Sequence, residues 1–345
     1  MHGRTVWIGL ISATTVLASL PAAHAEEPRV PAADGRADAE ALVRRLGNAQ
    51  ALDEPGETDR VGQIAAEAMA AHPEEPRWRL AWVLAEAYAG RSKDVLADAE
   101  ELVKLLPQEP GAHYTLGLCL VSTINDVAVW NRGARADRAR GLWETALELD
   151  PAHVGARFSL IQFYRNAPGI AGGSKKKAAA LARAGLEHRI GAHVWHAELG
   201  ELAGEDGDWE AFNTEFASAI ALAPTDRARQ TIALSQALTL LRTKNDPAAA
   251  LAVAQPLADA STESLPNFIC ARALRELDRC AEAIPYYLRV LERQPEAENS
   301  AYELGVCLAA TGDAPAARDQ LERFLKDHPK SDRAKDARKL LKSLR

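Results

Sequence analysis

Apolar residues recur three and four positions apart in successive stretches of the chain, and short polar turns or prolines separate these stretches. This spacing places the apolar side chains on one face of an α-helix. In the stretch 295–329, PEAENSAYELGVCLAATGDAPAARDQLERFLKDHP, two amphipathic segments flank a turn at 311–313 and a proline follows the second segment. We therefore predict a pair of helices here, whose apolar faces need neighbouring pairs to bury them.

Prolines at the ends of such pairs mark a repeat of about 34 residues. They are Pro73, Pro107, Pro151, Pro224, Pro295 and Pro329. The first two are 34 residues apart and so are the last two, whereas the intervals of 44, 73 and 71 residues between the others fit one or two units with insertions. We count about eight repeats in residues 37–330, with insertions near 123–137 and 166–174.

Within a unit, small and large residues hold fixed positions. With the proline at position 32, Gly305 takes position 8, Ala317 position 20, and Leu321 and Phe324 positions 24 and 27. This pattern resembles the tetratricopeptide repeat family, in which small residues at 8 and 20 let two helices approach and larger ones at 24 and 27 face the next unit. The resemblance implies an all-α fold, a right-handed superhelical solenoid. The basic amphipathic segment 331–345 is predicted to be a helix that caps the last repeat.

Composition and charge agree with an array of helices. Alanine, leucine, glutamate and arginine dominate, which is typical of all-helical proteins. The net charge of −7 is spread along the chain and disfavours nucleic acid as a partner.

The first residues indicate export. Residues 1–25 resemble a secretory signal peptide, with Arg4 before an apolar stretch and a small-x-small cleavage site at 23–25. Residues 26–36 are predicted to be a flexible leader. No later stretch is long and apolar enough to span a membrane. We expect a secreted, periplasmic bacterial protein that is monomeric and has no membrane span once processed.

The four cysteines fit buried helix positions better than a disulfide framework. Cys119 and Cys307 occupy position 10 of their repeats and Cys270 occupies position 7, where they can pack as small apolar residues. Cys270 and Cys280 share a hairpin but lie at unequal distances from its turn, which disfavours a bridge between them. An oxidising compartment keeps a disulfide open as the alternative.

The sequence contains no catalytic or cofactor motif. It lacks a Gly-x-Ser-x-Gly elbow, a paired metal-ligand helix motif and a glycine-rich nucleotide fingerprint. His193 and His196 are three residues apart and could share a metal, but that spacing is common by chance. We expect no enzymatic activity, no cofactor and no bound metal.

Partner binding is the function that the repeat resemblance implies. In the family, the first helices of the repeats line a concave groove, and position 5 is one of its positions. The candidate groove residues are Tyr114, Phe158, Phe268 and Tyr302 at position 5, with Gln162, Arg165, Arg272 and Arg275 nearby. Aromatic residues and arginine are common interface anchors, and arginine can bind a carboxylate of a peptide. Each aromatic could instead be half-buried between adjacent helices.

The two insertions are the other candidates. In 123–137, Trp130 either folds back onto an extended first helix or contacts a partner. In the second, Ser174 is predicted to cap the next helix, and Lys175 and Lys176 follow in its first turn, where the helix dipole disfavours cations. This segment is either a solvated connection or a contact for a partner or an anion.

We predict a non-catalytic periplasmic scaffold or adaptor that binds a protein or an extended peptide in its groove. The last repeat, LERFLKDHPKSDRAKDA, resembles repeats of envelope proteins in outer-membrane barrel assembly and of Tol-Pal-associated factors, so envelope assembly is one context. The alternative is a solute- or anion-binding helper of a transporter. A third hypothesis is a structural homo-oligomer that uses the Trp130 loop.

Overall fold

The structure is a computed structural model that describes residues 57–344 except residue 189, together with Ala39, Leu42 and Val43. This described part is helical and contains no β-strand. The helices are α1 (Glu57–Ala71), α2 (Pro76–Tyr88), α3 (Leu96–Leu105), α4 (Pro110–Ser122), α5 (Val129–Leu149), α6 (Val154–Asn166), α7 (Lys175–Glu187), α8 (Ala192–Asp206), α9 (Trp209–Leu222), α10 (Asp226–Thr239), α11 (Pro247–Ala260), α12 (Ser264–Glu276), α13 (Cys280–Arg293), α14 (Glu298–Ala310), α15 (Ala314–Asp327) and α16 (Ala334–Ser343). The predicted all-α fold class is confirmed. The predicted signal peptide, the leader and most of the first repeat's first helix lie outside the described residues.

Helices that are adjacent in sequence pack against one another. The pairs α4–α5 and α12–α13 have the most extensive contacts, followed by α1–α2, α11–α12 and α14–α15, and α13 also packs on α14 of the following repeat. The last helix, α16, packs on α15. There Ala337 is fully buried beside Tyr302, Leu321 and Phe324, so α16 covers apolar surface of the eighth repeat.

The chain divides into two compact units. Unit 1 contains the described residues up to 202 and residues 217–231, and unit 2 contains residues 203–216 and 232–344. In unit 1, a core built around Trp78, Phe163 and Trp195 extends from Ala39 to Leu202. In unit 2, the largest fully buried side chains are Phe212, Phe216, Tyr287 and Phe324.

The glycine at position 8 makes room for the large residue at position 24 of its own repeat. A Cβ on Gly305 would stand 2.6 Å from Leu321 Cδ2, and one on Gly117 would stand 2.3 Å from Trp143 Nε1. The repeat pattern predicts that residues at position 24 face the next unit. The structure shows that they also fill the space between the two helices of the same repeat.

The first insertion, 123–137, is mostly helical rather than an expanded turn. A short 3₁₀ turn spans Ile124–Asp126, and α5 already begins at Val129 and runs for 21 residues. Arg135 in this extension donates to the carbonyl of Leu120 at 2.9 Å and to Thr123 Oγ1. The extension of α5 therefore satisfies polar groups at the end of α4. The hypothesis that the first helix extends and Trp130 folds back onto it is wrong, because Trp130 lies on α5 and is 84% exposed.

The second insertion follows the prediction closely. Helix α6 ends at Asn166, a 3₁₀ turn spans Gly169–Ala171, and Gly172 adopts a left-handed conformation with φ of 91°. Ser174 Oγ accepts a hydrogen bond from the Lys177 N–H at 3.3 Å. The predicted cap of α7 is confirmed.

The sixth repeat is irregular at the end of its first helix, whereas its second helix is continuous. Helix α11 starts at Pro247 and continues through Pro256 to Ala260. The irregular segment is a π-helical turn, Leu240–Lys244, which extends α10 and ends at Asn245 with φ of 54°. A left-handed residue stops a helix as a glycine would, and asparagine tolerates that conformation better than most residues do.

Candidate functional site

The position-5 aromatics of unit 1 lie in the core. Tyr114 is fully buried, with its hydroxyl 2.8 Å from the Tyr88 hydroxyl and its ring centroid 5.0 Å from that of His153. Burial raises the pKa of Tyr114 to about 12. Phe158 is also buried. Neither side chain offers surface to a partner in this arrangement.

Gln162 and Arg165 face the next repeat. Gln162 Nε2 donates to Glu198 Oε1 at 2.9 Å. Arg165 pairs with Glu201, and its Nη1 also lies 3.6 Å from Glu198 Oε2. These contacts join α6 to α8, the first helices of successive repeats, so both side chains hold the repeats together.

A shallow groove of about 540 Å³ lies between α5, α6 and α7. Two of its polar groups pair with each other, since Tyr164 OH donates to Glu144 Oε1 at 2.6 Å. Arg140 Nη1 lies 2.8 Å from both oxygens of the same carboxylate. Burial and the Glu144 carboxylate raise the pKa of Tyr164. Lys177 Nζ stands 5.0 Å from the centroid of the Tyr164 ring. The apolar residues that line the groove are Leu147, Leu160, Ala180 and Leu181.

The insertion residues lie at the surface. Trp130, Lys175 and Lys176 are exposed, and so is Ile170 in the turn before α7. The Ser174 hydroxyl accepts the capping hydrogen bond of α7. A hydroxyl that accepts one hydrogen bond can still donate its own proton, so an anion at this turn would meet the lysines and the Ser174 O–H.

Unit 2 brings three arginines together, which we call the arginine cluster: Arg242, Arg272 and Arg275. Arg242 lies in the π-helical turn, and the other two lie on α12. Partial burial lowers the pKa of Arg242, and the like charge of Arg272 lowers it further. Like charges that approach this closely repel one another unless anions offset them.

Two carboxylates offset part of this charge. Arg272 Nε lies 3.0 Å from Glu276 Oε1 on the same helix. Arg275 Nε lies 2.7 Å from Glu303 Oε2 on α14, in an ion pair without hydrogen-bond geometry. Among the residues that the structure describes, Arg242 has no carboxylate within ion-pair distance. The arginine cluster thus carries one cation more than its acidic neighbours neutralise.

Tyr287 on α13 adds a polar hydroxyl beside the arginine cluster. Its side chain is fully buried and its OH lacks a hydrogen-bond partner in the described part of the chain. Burial raises the pKa of Tyr287 well above its usual range, and the charge of nearby Glu303 raises it further, while Arg275 and Arg272 oppose the rise. The hydroxyl stays protonated, and it is a buried donor whose hydrogen bond no described group accepts.

The remaining predicted groove residues flank the arginine cluster in sequence. Phe268 is half-buried one turn before Arg272 on α12, and Tyr302 is largely buried with the Arg333 guanidinium 5.4 Å from its ring centroid. Sequence reasoning missed Arg242, because this residue lies in the π-helical turn that extends α10, which the repeat pattern does not predict. It also missed Tyr287, because position 24 was assigned to packing.

Residues 271–332 match the family model for the tetratricopeptide repeat. Among solved structures, the chain is similar to one in the crystal structure of the APC/C hetero-tetramer Cut9–Hcn1, with a TM-score of 0.56, 16% identity, and coverage of 89% of this chain and 54% of that one. It is also similar to yeast Tom70, with a TM-score of 0.54, 15% identity, and coverage of 99% of this chain and 71% of that one. The chain thus spans about half the length of the Cut9–Hcn1 match. No curated protein sequence matches it.

At this level of identity the structural matches show the fold. Residues 271–332 match the tetratricopeptide repeat family model, and the helical architecture is similar in fold to the two solved structures. That fold is suited to protein interaction. No described helix is both long and apolar enough to cross a membrane.

Proposed function

We propose that this protein is a non-catalytic scaffold that binds an acidic segment of a protein partner at the arginine cluster of unit 2. The observation that carries the proposal is the unbalanced charge there. Arg242, Arg272 and Arg275 share two carboxylates, and the unpaired Tyr287 hydroxyl lies beside them.

The chemistry of the arginine cluster selects a carboxylate. A guanidinium group binds a carboxylate through charge-assisted, often bidentate hydrogen bonds. An incoming carboxylate would relieve the repulsion between Arg242 and Arg272. Half-buried Phe268, one turn away on the same helix, can contact an apolar side chain of the same peptide.

We propose further that the protein acts as a monomer in the periplasm, with envelope assembly as its context. This part rests on the pattern of residues 1–25 and on the resemblance of the last repeat to those of envelope proteins.

The alternative, a solute- or anion-binding helper that uses the turn at 174–177, has less support. Lys175 and Lys176 are exposed at the surface instead of being gathered into a pocket, and Lys177 lies against the Tyr164 ring. We therefore keep it as an outcome of the test.

The test is a binding measurement on the purified chain by fluorescence anisotropy. The probe is a labelled peptide that alternates glutamate and leucine and has a free C-terminal carboxylate. Its counterpart has glutamine in place of glutamate and an amidated end. We expect the acidic probe to bind in a salt-sensitive way, and Arg272→Ala/Arg275→Ala to weaken it roughly 10- to 100-fold, the loss of one or two charge-assisted contacts.

The matched control is Arg323→Ala/Arg338→Ala, which removes the same charge from exposed positions of α15 and α16. It should bind within about twofold of the wild type, since distant surface charges are screened. Equal binding of the glutamine counterpart, or equal losses in both double variants, would exclude the arginine cluster as the site. Binding of inorganic phosphate that depends on Lys175 and Lys176, without binding of the acidic probe, would favour the alternative.

A further inference from the structure

Cys280 and Cys307 bring their sulfur atoms within 2.7 Å of each other across two successive repeats. Cys280 is the first residue of α13, and Cys307 lies in the second half of α14. Both are free thiols in this structure. Their separation is only about 0.7 Å longer than the S–S bond of roughly 2.05 Å.

The hairpin geometry read from the sequence disfavours a bridge between Cys270 and Cys280, and the structure gives Cys280 a different neighbour. Cys270 shares the α12–α13 hairpin with Cys280, but it is buried elsewhere, close to the charges of Asp259 and Arg289. Helix α14 packs directly on α13 and presents Cys307 to the beginning of that helix. The contact is between repeats, so the hairpin geometry that disfavoured Cys270 does not apply to it.

We propose that Cys280 and Cys307 are an oxidation site, at which a disulfide bond cross-links the seventh and eighth repeats. The inference rests on the sulfur–sulfur contact and on the packing of α13 against α14, and it does not depend on the proposed function.

The oxidant is another disulfide, either that of a thiol–disulfide oxidoreductase or a small molecule such as oxidised glutathione. Cys280 is partly exposed and Cys307 is fully buried, so Cys280 attacks first. Its sulfur bonds to one sulfur of the oxidant and releases the other. The sulfur of Cys307 then bonds to that of Cys280 and releases the second sulfur of the oxidant. One S–S bond forms as one breaks, and the two thiol protons pass to the two sulfurs of the oxidant.

Cys307 is suited to the second step by its position and not by its acidity. Burial and the contact with Cys280 raise the pKa of Cys307, so it is a poor first nucleophile toward an external disulfide. It needs no access to solvent once Cys280 carries the mixed disulfide, because the two sulfurs are already in contact.

The cross-link would also restrict movement of the surface that carries Glu303 and Arg275. Glu303 lies one helical turn before Cys307 on α14, and Arg275 on α12 forms its ion pair with Glu303. A bond between Cys280 and Cys307 therefore holds α14 against the hairpin that carries Arg275. It would also constrain the unfolded chain over the segment between the two cysteines.

Peptide mapping of the full chain tests the proposal. The protein is equilibrated with a buffer of reduced and oxidised glutathione, its free thiols are alkylated under denaturing conditions, and it is digested with trypsin without reduction. Cleavage places Cys270, Cys280 and Cys307 in three separate peptides, 245–272, 280–289 and 294–318. We expect peptides 280–289 and 294–318 to be recovered as one linked species that reduction separates.

Recovery of both peptides as alkylated thiols would overturn the proposal, and so would a link between 280–289 and 245–272. Cys280→Ser should give no link and leave Cys307 alkylated. Cys307→Ser should leave Cys280 as a mixed disulfide with glutathione. Cys119→Ser, which alters a thiol in unit 1, should keep the link.

Thermal unfolding gives an independent readout. The oxidised wild type should melt several degrees above its reduced form, because a cross-link lowers the entropy of the unfolded chain. Cys280→Ser should melt at the same temperature in both buffers. An equal Tm for oxidised and reduced wild type would contradict a cross-link between the repeats.

Discussion

The indole of Trp143 lies against Gly117 of the preceding helix, and its Nε1 donates to the Tyr114 carbonyl at 3.3 Å. A Cβ on Gly117 would stand 2.3 Å from that nitrogen. The absent methyl group therefore sets how closely α4 and α5 approach. Leu321 and Gly305 repeat the arrangement in α14 and α15.

Gly117→Ala should destabilise the protein by about 2 kcal/mol, because the indole is fully packed and can move aside only by disturbing its neighbours. The matched control is Gly141→Ala on α5, where an added Cβ meets nothing within 4 Å. That change should stabilise the helix by up to about 1 kcal/mol, since alanine loses less backbone entropy than glycine. Urea unfolding of both variants measures the difference, and a shift of the same sign for the two would contradict the packing argument.

Acidification should destabilise the protein through His153. Its Nδ1 accepts a hydrogen bond from the Ala156 N–H at 3.2 Å and so caps α6. Burial lowers the pKa of His153 to about 4, against the opposing charge of Asp150. In the unfolded chain a histidine takes up its proton near pH 6.5. The unfolded state therefore binds more protons between these values, and the stabilising effect is complete above pH 6.5 and is lost as the pH falls toward 4.

We expect protonation of His153 to lower the free energy of unfolding by on the order of 2 kcal/mol as the pH falls from about 6.5 to about 4. Burial also lowers the pKa of His193 to about 4, so the slope has two main contributors. His153→Asn keeps a capping side chain but does not titrate. It should reduce the pH dependence of the urea midpoint by about half, and an unchanged slope would show that His153 does not contribute.

Much of the fold could be predicted because the sequence of each repeat contains the signals for its own two helices and the turn between them. The segments around Gly305 and Ala317 carry helical periodicity, a turn and a terminal proline, and α14 and α15 follow them closely. The early start of α5 could not be predicted, because it depends on Arg135 reaching the end of α4. A single sequence does not show contacts of that kind.

The candidate site was predicted in part for the same reason. Arg272 and Arg275 could be predicted as groove residues, because they lie near the groove position of the first helix within a single repeat. Gln162 and Arg165 share that position, but their contacts lie on α8, 36 residues further on. The approach of Arg242 to Arg272 and that of Cys280 to Cys307 also join different repeats, and repeat periodicity does not determine which side chains meet there.

Arg157→Lys should destabilise unit 1 by about 1–3 kcal/mol, because a lysine cannot reproduce two divergent charge-assisted hydrogen bonds. Arg157 is buried, donates through Nη1 to the Leu181 carbonyl at 3.0 Å and through Nη2 to the Pro151 carbonyl, and lies 5.9 Å from the centroid of the Trp195 ring. Arg183→Lys, an exposed position on α7, is the control and should be neutral within about 0.5 kcal/mol. Equal urea midpoints for the two variants would show that these carbonyl contacts carry no net stabilisation.

Glu303→Gln should strengthen binding of the acidic probe, and this tests whether Arg275 is part of the binding site. The carboxylate of Glu303 lies 2.7 Å from Arg275 Nε, so it competes with any incoming carboxylate for that guanidinium group. Its removal also takes one negative charge away from the arginine cluster. We expect affinity to rise about five- to tenfold, which corresponds to roughly 1 kcal/mol of relieved competition and repulsion.

Glu322→Gln supplies the charge control, because it removes the same charge from an exposed position on α15. If the gain comes from Arg275, Glu303→Gln should bind more tightly than Glu322→Gln, and the gain should disappear in an Arg275→Ala background. Such non-additivity identifies two residues that act on one contact. Equal affinity for the two glutamine variants would place the acidic probe away from Arg275. A gain that persists without Arg275 would mean that Glu303 repels the probe through space and that the ion pair has no part in binding.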